Sequence, residues 1–271
     1  MKTYSEYYQE CQSNFDKKPV FNLYDFTLKV DRPSKNNFFN LPKEYENLIK
    51  RTHDRFSYLV SDVNNLAIHR DPKIDFGIRL KNIKDFEELN ELADLLVPQI
   101  ENKLYGCNLF VEGVYCYRNV HRNANLRSSW LWHYDNDPKE MTKALIYLND
   151  VDEDSGPFSV LVDPDGTPKK IETSKIDYKK WMPAPNGSRI DINKMPKYKE
   201  QKILGEAGTI CLFDNNIIHK ANVCKPGKIR DVIVFYFKPT DRKVQVYLDD
   251  KYCQTWDCRH VNKNPEHKEK G

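Results

Sequence analysis

The sequence predicts a mainly β fold, an antiparallel barrel or sandwich with helices packed on one face. Three observations lead there. Before Gly106 the apolar residues recur at helical spacing, and after it they gather in short β-branched and aromatic runs. Those runs follow one another with no helix between them, which argues against a doubly wound parallel sheet. No linker divides the 271 residues, so the chain reads as one domain (1–271). Within it, 1–106 is a helical and mixed support region, 107–240 the β core and 241–271 a C-terminal extension.

The first forty residues read as short mixed segments, with FNLYDFTLKV as a strand of fair alternation. From Pro42 the pattern turns helical. Tyr45, Leu48, Ile49, Phe56, Leu59, Val60 and Val63 form one apolar stripe at three- and four-residue steps. A second helix has Asp85 as its cap with Glu88 three residues on, and Phe86, Leu89, Leu92, Leu96 and Ile100 as its buried face. Gly106 ends it, and Pro98 kinks it or shortens it to Val97. Five strand-like stretches follow: CNLFVEGVYCYR, KALIYLND, PFSVLVD, KILGEAGTICLFD and RDVIVFYFKP, bounded by Gly, Pro, Asn and Asp. The polar, proline-containing stretch Asp163–Lys202 is long for a connection and is expected to be a lid over a site or partly disordered. The tail VNKNPEHKEKG has the composition of a disordered end.

Bulk properties narrow the function classes. Lys+Arg of 43 against Asp+Glu of 40 gives a net charge of +3, with no basic stripe interleaved with aromatics, so nucleic acid is not an expected partner. No run reaches the ~18 apolar residues of a membrane span. The N-terminus lacks a hydrophobic signal region, so a cytoplasmic location is expected. Seven cysteines, an odd number, lie scattered at 11, 107, 116, 211, 224, 253 and 258, which speaks against a disulfide framework. Cys211 reads as a core residue. Cys253, Cys258, His260 and His267 fit no standard zinc spacing.

The informative residues are His133, Asp135 and His219, with Arg230 eleven residues beyond the last. Two imidazoles and one carboxylate are the ligand set that holds iron(II) on one face and leaves the other open. His133 and Asp135 flank Tyr134, so an extended strand points both to one face. His219 lies 84 residues after Asp135 and has to be brought in by the fold. A rival pair, His69 and Asp71, has the same spacing but sits in a loop-like context with no strong strand after it. Arg230 opens the last apolar strand, and Cys224-Lys225-Pro226-Gly227 supplies a turn back from the His219 segment. A hairpin there brings Arg230 near His219, where its fork suits the distal carboxylate of 2-oxoglutarate. The other readings of Arg230 are an edge-protecting charge or a partner for Asp231.

Taken together, W-H-x-D, A-L-x-Y-L-N-D-V-D-x-x-S-G-P, G-x-x-x-L-F-D-x-x-x-x-H and the following arginine resemble the phytanoyl-CoA dioxygenase-like (PhyH-type) branch of Fe(II)/2-oxoglutarate oxygenases. The resemblance covers roughly 109–239. It implies a double-stranded β-helix, the jelly roll of cupin-like proteins. It implies iron on His133, Asp135 and His219, and the 2-oxoglutarate C5 carboxylate on Arg230. Iron(II), 2-oxoglutarate and dioxygen are then the cofactor and cosubstrates, with succinate and CO2 released as a substrate C–H bond is hydroxylated. Many members carry Ser or Thr two residues past the distal histidine; here it is Ala221. Tyr117, Trp130 and Trp132 are candidates to take over that contact, packing aromatics being the alternative. Halogenases of the family lack the carboxylate ligand, and Asp135 therefore points to hydroxylation.

The substrate is expected to be a small, polar molecule. Arg118, Arg122 and Arg127, with Asn123, Asn125 and Asn136, are candidates to read it, as are Trp181, Arg189 and Lys194; a solvated loop is the alternative for all of them. Two other functions compete with the oxygenase: a cupin-type metal enzyme without 2-oxoglutarate, and a non-catalytic jelly-roll binding module.

Overall fold

From Asn108 onward, side chains alternate between two faces of extended chain, and the strands assemble into two antiparallel sheets. The computed structural model describes residues 2–70, 77–81, 86–121, 126, 128–173 and 188–248. In chain order the elements are α1 (Tyr4–Ser13), β1 (Leu28–Asp31), α2 (Tyr45–Ser61), β2 (Ile68–Arg70), β3 (Gly77–Leu80) and α3 (Glu87–Ile100). The core follows with β4 (Asn108–Val120), β5 (His133–Tyr134), β6 (Thr142–Tyr147), β7 (Phe158–Val162), β8 (Ser188–Arg189) and β9 (Lys199–Ile203). It closes with β10 (Ile210–Asp214), β11 (His219–Ala221) and β12 (Ile229–Thr240). The larger sheet runs β1-β10-β6-β12-β4-β3-β2 and the smaller β8-β5-β11-β7-β9. This is the jelly-roll architecture, mainly β with helices on one side.

Parity along the strands separates two cores. Ile233, Phe235 and Phe237 of β12 and Ala144 and Ile146 of β6 pack with the helices on the outer face of the large sheet. Val232 and Val234, Leu145 and Tyr147, and Cys211 and Phe213 point inward, against Phe158, Val160 and Val162 of the small sheet. The apolar stripes expected for the two helices are buried on that outer face, with Leu89, Leu92, Ile100 and Phe56 fully enclosed and Leu59 partly so; Val63 is the exception, lying past the end of α2 and exposed. Burial at this scale, roughly 1.5–3 kcal/mol per large apolar side chain, holds the helical layer to the sheet.

Several expectations need correction. The N-terminal segment is a helix, α1, begun by a capping box between Thr3 and Glu6, and Tyr4, Tyr7, Tyr8 and Cys11 form its buried face. The T-x-x-E spacing was the signal to read. Of FNLYDFTLKV only the last residues join a strand, where Leu28–Val30 pair with Phe213–Cys211. Pro98 neither stops α3 nor shortens it: the helix runs to Ile100 and widens into a π-turn over Glu101–Tyr105. The N–H of Gly106 closes that turn on Glu101 O at 2.7 Å, and Gly106 adopts φ 62°, a conformation suited to glycine. Asp85, its expected cap, lies outside the described residues.

KILGEAGTICLFD is two strands rather than one. Lys199–Ile203 pairs with β7 in the small sheet and Ile210–Asp214 with β6 in the large one, the chain turning between them at Gly208 (φ 88°). In the same way β11 and β12 form no hairpin. They belong to different sheets, and the Lys225–Lys228 turn is a corner that carries the chain across the barrel. The stretch expected to be a lid is anchored at its described ends: Val162 bridges Pro168, and β9 pairs with β7.

Candidate metal centre

Two short strands of the small sheet carry the centre. β5 and β11 are antiparallel neighbours, with His133 directly opposite His219. Both imidazoles point between the sheets, their ring centroids 4.3 Å apart, and both are buried. Each ring is turned by its own backbone. Nδ1–H of His133 donates to Leu131 O at 2.8 Å, and Nδ1–H of His219 donates to Ile217 O at 2.9 Å. With Nδ1 occupied, Nε2 is left as the lone-pair donor on both rings. Asp135 joins them: Oδ1 is 3.9 Å from Nε2 of His133, and Oδ2 is 3.8 Å from Nε2 of His219. The three donor atoms lie within 4.8 Å of one another, a spacing a divalent cation fits.

Electrostatics favour the metal-ready protonation states. Burial, then the neighbouring His133, lowers His219 to about 3, and burial lowers His133 as well, so both rings are neutral donors at neutral pH. Burial alone raises Asp135, but Lys143, His219 and His133 overcome it and hold the carboxyl down to about 2.

The Asp135 loop is clamped by the turn that leads into β11. Asp135 N–H donates to Asn215 O at 3.0 Å, and Asp137 N–H donates to Asn216 Oδ1 at 3.0 Å. Asn216 Nδ2 returns a bond to Asp137 O at 2.9 Å, and Asn215 Nδ2 donates to the Asp137 carboxyl at 2.6 Å. Between the clamped residues Asn136 takes φ 59°, a left-handed conformation that asparagine tolerates. One turn thus fixes the carboxylate and, three residues after Asn216, the second imidazole. Lys143, on the inner face of β6, hydrogen-bonds Oδ2 of Asp135.

Arg230 lies on the inner face of β12 and is 1% exposed. Its direct cross-strand partner on β4 is Asn119. With the amide oriented to satisfy both side chains, Asn119 Oδ1 accepts from Nε at 3.1 Å and from Nη2 at 2.6 Å. Nη1 is buried with no hydrogen-bond partner. An orphaned guanidinium nitrogen in a closed interior marks a place for an anionic group. Asp231 is not its partner. It points to the helix side of the sheet, where Arg118 binds it at 2.8 and 2.6 Å and His53 approaches at 3.0 Å.

The other residues singled out from sequence distribute as follows. Tyr117 is on the same inner face of β4, close enough for the Arg230 charge to oppose the effect of burial on its phenol. Trp130 is buried at the end of a short 3-10 turn, Ser128–Trp130, beside β11. Trp132 is corrected: it neighbours His133 on an extended strand, so it faces outward and packs with Leu161 and Ile218 on the far side of the small sheet. Arg118 is corrected too, being committed to Asp231 behind the large sheet. Asn136, Arg189 and Lys194 are exposed, Arg189 pairing across strands with His133. His69 sits on β2 opposite Arg79, at the edge of the large sheet. Asp71, Arg122, Asn123, Asn125, Arg127, Trp181 and the C-terminal cysteines and histidines lie outside the described residues. The five cysteines among the described residues are all buried, Cys211 with them. A surface cleft of about 700 Å³ opens beside α1, lined by Tyr8, Gln12, Lys17 and Tyr24, and none of the triad reaches it.

No family model matches the chain, and no curated protein matches it. Solved structures do. The epimerase SnoN, in complex with Fe3+, alpha ketoglutarate and nogalamycin RO, superposes with TM-score 0.54 at 9% identity over 86% of this chain and 83% of its own. EctD from S. alaskensis with bound Fe gives 0.53 at 12%, over 82% and 76%. HygX from Streptomyces hygroscopicus, with nickel, 2-oxoglutarate and hygromycin B bound, gives 0.50 at 16%, over 84% and 91%. At these identities the likeness establishes the fold: this chain shares the jelly roll of metal- and 2-oxoglutarate-binding proteins, and it carries a His-Asp-His cluster inside that fold.

Proposed function

We propose that the protein is an Fe(II)- and 2-oxoglutarate-dependent dioxygenase that hydroxylates a C–H bond of a small, polar molecule. The observation that carries the reading is the pairing of two features in one barrel. One is a buried His133–Asp135–His219 cluster with both Nε2 atoms free; the other is a buried Arg230 whose Nη1 lacks a partner. A cupin-type enzyme without 2-oxoglutarate has no use for the second feature, and a binding module has none for the first. The PhyH-type branch accounts for the spacing of all four residues.

In this reading His133, Asp135 and His219 hold the iron, which with 2-oxoglutarate and dioxygen supplies the oxidising chemistry and releases succinate and CO2. Leu131 O and Ile217 O hold the imidazoles in the tautomer that offers Nε2. Arg230 takes the distal carboxylate of the cosubstrate, with Asn119 aligning its fork and Tyr117 and Trp130 as further cosubstrate-side residues. Phe158 and Phe213, whose rings lie 5.5 and 5.4 Å from that of His219, keep the inner side of the centre dry. A lid role for the stretch 163–202, within a single catalytic domain, belongs to the same proposal.

Anaerobic titration of the protein with Fe(II) and then 2-oxoglutarate tests this. A weak visible charge-transfer band is expected for the wild type and not for His133→Ala, and Arg230→Ala retains metal but needs far more 2-oxoglutarate. No band in the wild type, or an undiminished one in His133→Ala, refutes the reading. Because one structural neighbour is an epimerase, candidate substrates are best screened by succinate release, with the product then checked for a gained oxygen.

A further inference from the structure

On the inner face of β6 Lys143 is followed by Leu145 and Tyr147, so an ammonium stands where the strand otherwise turns apolar bulk inward. Its side chain is 7% exposed. The cross-strand neighbours on either side are Phe213 of β10 and Tyr236 of β12, and Nζ lies 4.4 Å from the Tyr236 ring centroid. A buried ammonium is costly unless paired, and its pairing here is specific: Nζ donates to Oδ2 of Asp135. Oδ1 faces Nε2 of His133 at 3.9 Å and Oδ2 itself lies 3.8 Å from Nε2 of His219, so both oxygens are in reach of one cation and only Oδ2 is held by the lysine. The clamp from Asn215 and Asn216 holds the loop through its main chain, so Asp135 is gripped at its backbone and at one oxygen.

We propose that Lys143 is a positioning residue that keeps Asp135 a one-oxygen ligand, occupying Oδ2 so that Oδ1 alone is offered to a divalent cation. The inference rests on the metal-centre reading above and adds a reason for the site's coordination number. Carboxylates bind cations through one oxygen or two. Two imidazole nitrogens and one carboxylate oxygen leave about three positions of an octahedral ion open. A chelating carboxylate takes one of these, and a bidentate cosubstrate then leaves no position for dioxygen. The lysine thereby protects the open face without touching substrate. Arginine retains both the charge and the donor. Methionine fills similar space and releases Oδ2.

The test uses the full chain loaded with Mn(II) in place of iron, and it reads exchangeable waters by water-proton relaxation per bound ion. Wild type and Lys143→Arg are expected to hold about three waters and Lys143→Met about two, so the enhancement falls by roughly one third in the methionine variant alone. Equal enhancement in wild type and Lys143→Met overturns the proposal. So does tighter Mn(II) binding by Lys143→Met with an unchanged water count, since the lysine is then only a space-filler that the ion displaces. Should Lys143→Met fail to fold by circular dichroism, the wild type decides by itself. In Zn(II)-minus-apo difference infrared spectra, the widely split carboxylate stretches of a one-oxygen ligand support the proposal, and the narrow splitting of a chelate overturns it. Absence of metal binding in the wild type overturns the metal centre itself and this inference with it, a failure visible before any variant is compared.

Discussion

Asn119 accepts from Arg230 through a single amide oxygen, 3.1 Å from Nε and 2.6 Å from Nη2. The two residues are direct partners across β4 and β12, so strand register rather than loop conformation sets the contact. One side of the guanidinium is thereby occupied. The edge bearing Nη1 and the remaining Nη2 hydrogen is a two-pronged donor matched to a carboxylate. Replacing Asn119 by Ala frees the fork to rotate and removes a hydrogen bond to a charged group, an interaction worth roughly 1.5–3 kcal/mol. The expected result is 2-oxoglutarate binding weaker by about 10- to 100-fold, with metal affinity unchanged. Calorimetric titration of the metal-loaded protein measures both, and an unaltered cosubstrate affinity would sink the assigned role.

Trp132 provides the complementary control. Its indole lies on the outer face of the small sheet with Leu161 and Ile218, and Lys220 Nζ sits 4.7 Å from the ring centroid. Trp132→Phe is therefore expected to lower stability by roughly 0.5–3 kcal/mol while leaving cosubstrate affinity as it is. A weakened 2-oxoglutarate titration in a fully folded Trp132→Phe protein contradicts the outward placement.

Behind Arg230, the adjacent Asp231 is fully buried and binds Arg118 through both carboxylate oxygens. Removing one member of a buried pair leaves the other charge uncompensated, at a cost of about 3–5 kcal/mol. Asp231→Ala is expected to lower the urea midpoint accordingly with the slope unchanged. A midpoint within error of wild type indicates that Arg118 finds water or another acceptor.

Which parts of this architecture were legible in the sequence follows from how local each signal is. β4, β6, β7 and β12 announce themselves by β-branched and aromatic runs, and α2 and α3 by apolar stripes, because each pattern reflects burial of a nearby face. His133 and Asp135 were readable as a pair because they are two residues apart on extended chain. His219 and Arg230 had to be found by motif spacing. The position of Arg230 within the barrel depends on a sheet-crossing corner that looks like a hairpin turn when read along the chain. Asn119 and Lys143 were missed for a related reason. A lone polar residue in a strand reads as surface until its register is known, and only pairing puts Asn119 opposite Arg230 and Lys143 beside Tyr236. The inward parity of Lys143 with Leu145 and Tyr147 was the signal that sequence did contain.

The titrating groups around the centre make opposing contributions to stability, and one substitution separates them. In the metal-free protein His219 is held at about 3 by burial and by the adjacent His133. Its unfolded value is about 6.5, so between these limits the unfolded chain binds the extra proton. Stability from this group is present above about pH 6.5 and is lost as pH falls toward 3. Asp137 behaves in the opposite sense. Burial, then Asp135, raises it to about 7. Its unfolded value is about 3.9, so the folded chain binds the extra proton in between, and that contribution is present below about pH 4 and lost as pH rises through 7. Across about pH 4 to 6.5 the two nearly cancel. Asp137→Asn keeps an acceptor for Asn215 and removes only the acid-favouring member. The variant's unfolding free energy is expected to climb with pH more steeply than wild type, by up to about 1.4 kcal/mol per pH unit in that window. Chemical denaturation of the metal-free proteins at a series of pH values measures the two slopes, and superimposable profiles would show that Asp137 is ionised in the folded chain.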